Sequence, residues 1–295
     1  MSITLPSEGG SRPIRVVEVG PRDGLQNETR VVPVAARIAL IRLLIDAGLK
    51  TMEAGSFVSP RWVPQMEGTD RVLAGLDPGG DVVLPVLVPN LKGLEAARAA
   101  GAETVAVFAA ATEAFSRANL NADRATAMGR FAEVIAAATA SGIRVRGYVS
   151  CALHCPYEGW VHPDAAADLT AQLTDLGCYE VSLCDTTGQG TPDRAEAMIA
   201  AALARVPAAR LAVHFHDTGG RALDNTERAI RLGIGTVDSA IAGLGGCPYS
   251  PGAAGNLATE KLVARLTALG FDTGVDLAAL ALARDFIRRE LSRPH

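Results

Sequence analysis

The stretch that decides the fold runs from Arg144 to Thr186 and contains RVRGYVSC at 144–151, PDAAADLTAQLTDLG at 163–177 and YEVSLCDT at 179–186. The outer two segments are short and rich in β-branched residues, which is typical of strands. The middle segment has helical character and ends at a glycine, as helices commonly do. Strands that alternate with helices indicate a parallel sheet, so this stretch predicts one β-α-β unit.

The same alternation extends outward in both directions. Val34–Gly48 and Leu91–Gly101 also have helical character and end at glycine, and Pro192 lies near the first turn of another predicted helix. Eight strand-like units in one chain predict an α/β fold, the closed (β/α)8 TIM barrel. The eight runs are Ile14–Gly20, Thr51–Phe57, Val82–Val88, Thr104–Ala110, Arg144–Cys151, Tyr179–Thr186, Leu211–Thr218 and Thr236–Gly243.

The chain length and the absence of a low-complexity linker favour one domain. A chain of 295 residues is normal for a single barrel. We predict a flexible leader over residues 1–13, which are polar and glycine-rich, and one barrel domain over residues 14–295. A Gly-rich loop, Gly243–Gly255, follows the eighth predicted strand and contains Cys247.

Composition excludes several classes of function. Hydrophobic residues make up 48% of the chain and aromatic residues only 4%, so aliphatic side chains must fill the core. The net charge is −4 and the sequence has no basic stripe, which argues against a nucleic-acid partner. No apolar run is long enough for a membrane span. The leader does not resemble a secretion signal, and the five cysteines are an odd number, so we expect reduced thiols in the cytoplasm.

Barrel enzymes build their sites at the C-terminal ends of the strands, where this sequence places polar residues that cost free energy to bury. His214 and His216 are two residues apart on a predicted strand, so both imidazoles point to one face. Asp23, after the first strand, is placed to add a carboxylate. Such mixed nitrogen and oxygen ligands suit Mg²⁺ or Mn²⁺. The alternative is that one histidine packs in the core beside a hydrogen-bonding neighbour.

Arg22 adjoins Asp23, and a fixed guanidinium there can hold a developing enolate. Glu53, in the second strand, is a candidate for direct chemistry or for supporting Arg22. Cys247, between paired glycines and a proline, is a candidate proton donor on a closing loop. Asn256 follows that loop and either caps a helix or binds a hard cation.

Other polar side chains at or near the predicted strand ends are candidates for substrate binding. They are Gln26, Ser56, Ser182, Asp185 and Thr186.

Several longer segments resemble one family. VEVGPRDGLQNE at 17–28, SFVSPRWVPQM at 56–66, RGYVSC at 146–151 and GLGGCPY at 243–249 are similar to segments of the 3-hydroxy-3-methylglutaryl-CoA lyases, and the resemblance spans about residues 14–276. It implies a metal-dependent lyase with a TIM-barrel fold that cleaves 3-hydroxy-3-methylglutaryl-CoA to acetyl-CoA and acetoacetate without a redox cofactor. It also implies an acyl-CoA partner, a homodimer, and a place in leucine degradation and ketone-body metabolism.

The resemblance also implies a role for individual residues. Arg22 would stabilise the enolate and Cys247 would protonate it, while Glu53 and Asp185 would support the site. The divalent cation would be held by Asp23, His214, His216 and Asn256.

The sequence departs from the family pattern at three places. Gly219 stands where the family usually has Tyr, Arg221 where it has Gln, and Cys184 where it commonly has Gly. These changes leave open a lyase for a related branched 3-hydroxyacyl-CoA. A Claisen-type synthase of the isopropylmalate or homocitrate kind fits less well, because the Cys247 loop is not typical of those enzymes. A non-catalytic barrel would be expected to have lost Arg22, Asp23 or Cys247.

Overall fold

The computed structural model describes residues 12–77, 79–245 and 255–293. Within those ranges, parallel strands alternate with helices along the chain, as the sequence predicts. Strands β1 to β11, in chain order, are Arg15–Glu18, Thr51–Met52, Gly55–Ser56, Val86–Leu87, Thr104–Ala110, Arg144–Ser150, His154–Cys155, Gly159–Trp160, Glu180–Asp185, Leu211–Phe215 and Thr236–Ser239.

The helices cover the outside of the sheet and bury their apolar faces against it. Gly177 ends α6 in the left-handed region with φ 118°, which confirms the predicted glycine stop. Prolines occupy the first turns of α6 and α7. Helices α1 to α10, in chain order, are Val34–Asp46, Thr69–Ala74, Leu91–Ala99, Glu113–Leu120, Arg124–Ala140, Pro163–Leu176, Pro192–Leu203, Ala222–Arg231, Thr259–Ala268 and Leu277–Ser292.

The sheet closes on itself into the predicted barrel. Strand β2 pairs with β1 at one end of the strand order, and β3 pairs with β4 at the other. Only Glu53 and Ala54 separate β2 from β3, and their amides continue the bonding to Glu18 O at 2.9 Å and to Pro85 O at 3.0 Å. The two short strands are therefore halves of one barrel strand, which gives eight parallel strands around the barrel.

Three local features differ from the predicted strand runs. The second run is divided into β2 and β3, and the eighth strand ends at Ser239, before a short 3-10 helix over Ile241–Gly243. Ala242 in that helix has φ 61°, a left-handed conformation that an extended strand cannot contain. An antiparallel hairpin of β7 and β8, which the sequence analysis did not predict, follows β6.

Aliphatic side chains fill the space between the barrel and its helices, whereas the interior of the barrel contains charged residues. Leu40, Ile41 and Leu44 of α1 are fully buried against the sheet. In contrast, Arg146 and Asp238 are buried charged residues on strands β6 and β11. Buried charges of this kind are tolerated only when they are paired, so they indicate a specific polar network.

The chain is bonded into the barrel from Arg12 onward, because Arg12 O accepts from Asp272 N at 3.3 Å and Ile14 N donates to Asp272 O at 2.8 Å. The rest of the predicted leader, residues 1–11, lies outside the described residues. None of the described helices combines the length and apolar character required to cross a membrane.

Candidate metal centre and active site

Arg22 and Asp23 stand on a single turn of π-helix, Gly20–Gly24, that directly follows β1. The Gly20 amide donates to Glu18 Oε1 at 2.7 Å. A Cβ at Gly20 would lie 2.5 Å from the same oxygen, so the turn has no room for a side chain there. This local geometry holds Arg22 and Asp23 at the C-terminal end of the barrel.

Asp23, His214 and His216 converge as the sequence predicts. The Nε2 atoms of His214 and His216 lie 3.9 and 4.0 Å from Asp23 Oδ2. These distances are too long for hydrogen bonds. They suit two ligands of one ion, which lie roughly 3–4 Å apart when each is about 2.1 Å from the metal. One ligand atom from each of the three residues lies within 4.8 Å of the others.

The charge states of these side chains also suit a cation. Burial by itself would raise the pKa of Asp23, but Arg22 and the two histidines lower it to about 2. Burial and the neighbouring His214 lower the pKa of His216 to about 4. An ionised carboxylate and a neutral imidazole are the forms that bind metals, so the residues present fit a divalent ion.

Asn256 and Gln26 both contact Asp23. Asn256 forms an antiparallel bridge with His216 and donates through Nδ2 to Asp23 Oδ2 at 2.9 Å and to Leu244 O at 3.0 Å. Gln26 Nε2 donates to Asp23 Oδ1 at 3.0 Å. Asn256 thus lies at the predicted site, with its amide nitrogen toward the Asp23 carboxylate. Its role as an oxygen ligand of the metal stays a prediction, because the side-chain amide would have to rotate to present its oxygen.

Arg22 is held between two carboxylates. Its Nε and Nη2 lie 2.6 and 2.5 Å from Glu53 Oε2, and its Nη1 lies 2.6 Å from Asp23 Oδ1. Burial opposes the charge, but Glu53 and Asp23 raise the pKa of Arg22 above its ordinary value. Its guanidinium also lies 5.7 Å from the ring centre of Tyr148. Glu53 is therefore placed to orient the Arg22 guanidinium, which is one of the two roles predicted from the sequence.

Like Gln26, the predicted substrate-binding residues Ser182 and Thr186 bond within the protein. Ser182 is fully buried and its Oγ donates to Asp238 Oδ2 at 2.9 Å. Thr186 Oγ1 accepts from the Cys151 amide at 2.9 Å. These contacts give Ser182 a supporting position beneath the site and tie Thr186 to the end of β6, while substrate contact by either remains a prediction.

Asp185 and Ser56, in contrast, each have a buried oxygen without a hydrogen-bond partner among the described residues. Asp185 Oδ2 accepts from the Gly190 amide at 2.7 Å, whereas Oδ1 has no partner. Burial raises the pKa of Asp185 to about 6. Ser56 Oγ likewise has no partner. Buried polar atoms are nearly always bonded, so both positions favour a ligand or water contact.

A buried network that was not predicted from the sequence lies next to the histidines. Asp238 accepts from Arg146 at 2.7 and 3.1 Å, and Arg146 also contacts Glu180 at 2.8 Å and the Tyr148 hydroxyl at 2.5 Å. The available signal was the presence of charged residues inside strands that were predicted to be buried. Each such charge requires a partner, and partners on other strands cannot be assigned from one sequence.

Cys247, the predicted proton donor, lies outside the described residues. The described residues on either side of its loop contact the site. Gly245 has φ 96°, and a Cβ there would lie 2.7 Å from Asn256 Nδ2. Gly255 O accepts from the Asp217 amide at 2.8 Å. The predicted Gly/Cys loop therefore starts and ends beside the candidate metal ligands.

Comparison with known proteins identifies a family and similar proteins. The HMGL-like family model matches residues 13–287. A mitochondrial hydroxymethylglutaryl-CoA lyase of Bos taurus is 53% identical over 280 residues, which cover 95% of this chain and 86% of that protein. A hydroxymethylglutaryl-CoA lyase of Pseudomonas mevalonii is 54% identical over 268 residues, which cover 91% of this chain and 89% of that protein.

A solved structure agrees with the barrel described above. The crystal structure of hydroxymethylglutaryl-CoA lyase from Pseudomonas aeruginosa superimposes with a TM-score of 0.94 at 49% sequence identity. The match covers 96% of this chain and 95% of that one.

Proposed function

Because the chain belongs to the HMGL-like family, we propose that it cleaves 3-hydroxy-3-methylglutaryl-CoA to acetyl-CoA and acetoacetate. It is a carbon–carbon lyase that acts on an acyl-CoA. The observation that carries the proposal is the convergence of Asp23, His214 and His216 beside a paired Arg22 at the mouth of the barrel.

We propose that Asp23, His214 and His216 hold a divalent cation, with Asn256 as a fourth ligand. A bound ion of this kind supplies Lewis-acid chemistry to oxygen atoms of the substrate. Both Mg²⁺ and Mn²⁺ accept imidazole and oxygen ligands, and we propose one of them as the native metal.

The cleavage itself requires one base and one acid. The tertiary hydroxyl loses its proton, its oxygen becomes the carbonyl of acetoacetate, and the electrons of the broken C2–C3 bond form the enolate of acetyl-CoA. That enolate then takes a proton at carbon. Electrons and atoms balance without an oxidant or a reductant.

Arg22 is placed to stabilise the enolate. Its charge is fixed by Glu53 and Asp23 before the substrate arrives, so little reorganisation is needed as negative charge develops. Glu53 holds the guanidinium through one oxygen. The acid in this proposal is the Cys247 thiol, because a loop between Gly245 and Gly255 starts and ends beside Asp23 and Asn256.

We further propose that the protein acts in the cytoplasm as a homodimer. The relatives include a cytoplasmic 3-hydroxy-3-methylglutaryl-CoA lyase of Danio rerio as well as mitochondrial enzymes. Acetoacetate and acetyl-CoA as products are consistent with leucine degradation and ketone-body metabolism.

A lyase for a bulkier 3-hydroxyacyl-CoA is the second candidate. Cys184 is paired in register with His214 and packs with Tyr148, so a thiol lies beside a candidate metal ligand. Gly219 and Arg221 are both exposed, just beyond the candidate metal ligands. Relative to the family pattern, Gly219 and Arg221 alter the size and charge of the rim of the candidate site, and the proposed metal ligands are kept.

The deciding experiment is an acyl-CoA panel with Mg²⁺ or Mn²⁺, in which products are identified by mass spectrometry. We expect acetyl-CoA and acetoacetate from 3-hydroxy-3-methylglutaryl-CoA, at a kcat/KM above those of larger 3-substituted homologues. A higher kcat/KM for a larger homologue would replace the first substrate with the second candidate. The absence of cleavage with every acyl-CoA and both metals would refute the lyase proposal.

A further inference from the structure

A column of alternating charges leads through the barrel interior to His214. Glu180 on β9 contacts Arg146 on β6, and Arg146 binds both oxygens of Asp238 on β11, at 2.7 Å to Oδ1 and 3.1 Å to Oδ2. Asp238 is paired in register with His214 of β10. All four residues are buried, so water does not screen the charges and their geometry is fixed by the strands.

His214 has a carboxylate near each of its ring nitrogens. Its Nε2 lies 3.9 Å from Asp23 Oδ2, and its Nδ1 lies 3.4 Å from Asp238 Oδ2. The Nδ1 atom is buried and has no fully formed hydrogen bond among the described residues. Among these residues, His216 has only Asp23 as a carboxylate within 4.0 Å. Of the two histidines, His214 is therefore the one with a carboxylate near both ring nitrogens among the described residues.

We propose that Asp238 is a positioning residue that keeps the proton of His214 on Nδ1 and leaves Nε2 free to bind the metal. A neutral imidazole carries one proton, and only the nitrogen without it can be a ligand. A carboxylate behind a metal-binding histidine fixes both the tautomer and the ring orientation. This inference rests on the proposed metal site.

The hydrogen-bond partners of Asp238 explain how it can fix the His214 tautomer from inside the barrel. Arg146 grips both of its oxygens, and Ser182 Oγ adds a hydrogen bond at 2.9 Å to the same Oδ2 that faces His214. The carboxylate therefore cannot turn away from the imidazole. Fixed, buried partners of this kind pre-organise a ligand before the ion arrives.

The first test uses the unmodified, metal-free protein and needs no activity. Two-bond ¹H–¹⁵N NMR spectra distinguish the two tautomers of the five histidines, and His214→Gln identifies the signal of interest. We expect the Nδ1–H tautomer for His214 at a pH where the ring is neutral. The Nε2–H tautomer, which an unperturbed imidazole favours and which Asp23 would also attract, would overturn the proposal.

The second test measures Mn²⁺ binding by the loss of the free-ion EPR signal. Asp238→Asn keeps the shape of the side chain and removes its charge, and we expect the Kd for Mn²⁺ to rise roughly 10- to 100-fold. Glu180→Gln is the matched control, because it also removes one buried anion from Arg146 but makes no contact with His214. We expect it to leave the Kd nearly unchanged.

The outcomes separate this inference from the proposed metal site. Equal weakening by both variants, or an unchanged Kd in Asp238→Asn, would mean that Asp238 only stabilises the fold. If the unmodified protein does not bind Mn²⁺ or Mg²⁺, the proposed metal site is wrong, while the NMR spectrum still decides whether Asp238 sets the tautomer. The spectrum also decides the question if Asp238→Asn fails to fold.

Discussion

Replacing Arg22 with Gln should separate its catalytic role from its structural one. Arg22 is buried between Glu53, which it contacts at 2.5 and 2.6 Å, and Asp23, which it contacts at 2.6 Å. Gln has a similar length but carries no charge. The substitution therefore removes the proposed enolate partner. It also leaves Glu53, whose Oε1 has no hydrogen-bond partner among the described residues, without the Arg22 charge.

Two effects of different size are expected. Removing one partner of a buried ion pair costs about 3–5 kcal/mol of folding free energy. Removing a donor that stabilises transition-state charge lowers kcat by roughly 10²- to 10³-fold. The first is measured by urea denaturation and the second by steady-state kinetics with 3-hydroxy-3-methylglutaryl-CoA.

The double variant Arg22→Gln/Glu53→Gln is the control that distinguishes the two effects. It removes the stranded charge, so we expect it to recover much of the lost stability. It does not restore a cation, so kcat should stay low. A double variant that recovers both stability and kcat would show that Arg22 only neutralises Glu53 and would refute its role at the enolate.

The single variant should also lose more stability than the unmodified protein as the pH rises. Burial raises the pKa of Glu53, and Arg22 at present opposes that rise. Without Arg22, the folded-state pKa moves further above the unfolded value. An acid of this kind is most stabilising below its unfolded pKa and loses that contribution as the pH rises toward its folded pKa. The Arg22→Gln protein should therefore unfold more easily at higher pH, and the double variant should not show this added dependence.

Other substitutions test the remaining parts of the site. His214→Ala should abolish Mn²⁺ binding and turnover, and EDTA should abolish turnover of the unmodified protein reversibly; activity of His214→Ala in metal-free buffer would refute the ligand assignment. Gly245→Ala should weaken Mn²⁺ binding measured by EPR, because a Cβ at that φ of 96° would lie 2.7 Å from Asn256 Nδ2; unchanged binding would mean that Asn256 is not a ligand. Cys247→Ser should lower mainly kcat, and an unchanged kcat would mean that the thiol is not the acid. Gly219→Tyr should lower kcat/KM for bulky 3-substituted acyl-CoAs relative to the methyl substrate. The new Cβ would lie 2.9 Å from Gly188 O, so the loop that contains Gly188 must shift. An unchanged ratio of the two kcat/KM values would show that Gly219 does not affect substrate choice.

The sequence by itself determined the architecture and predicted the three side chains that converge at the candidate metal centre. Eight strand-like runs with helices between them identified the barrel, because hydrophobic periodicity and glycine stops are local properties of the chain. The spacing of His214 and His216 placed both rings on one face, because side chains alternate along a strand. The carboxyl end of β1 placed Asp23 at the same mouth, since parallel barrel strands end on one side.

Only the tertiary structure decided which residues meet across the barrel. Asp238 contacts His214 and Arg146 from a third strand. Glu53 pairs with Arg22, a contact that the sequence had offered beside a direct chemical role. Residues far apart in the sequence meet according to strand register and side-chain direction, which a single sequence does not specify. The π-helical turn at Gly20–Gly24 is also a tertiary result, because Glu18 Oε1 accepts hydrogen bonds from both the Gly20 amide and the distant Ile241 amide. Local pattern thus defines the strands and their exposed ends, while closure of the barrel defines the contacts between them.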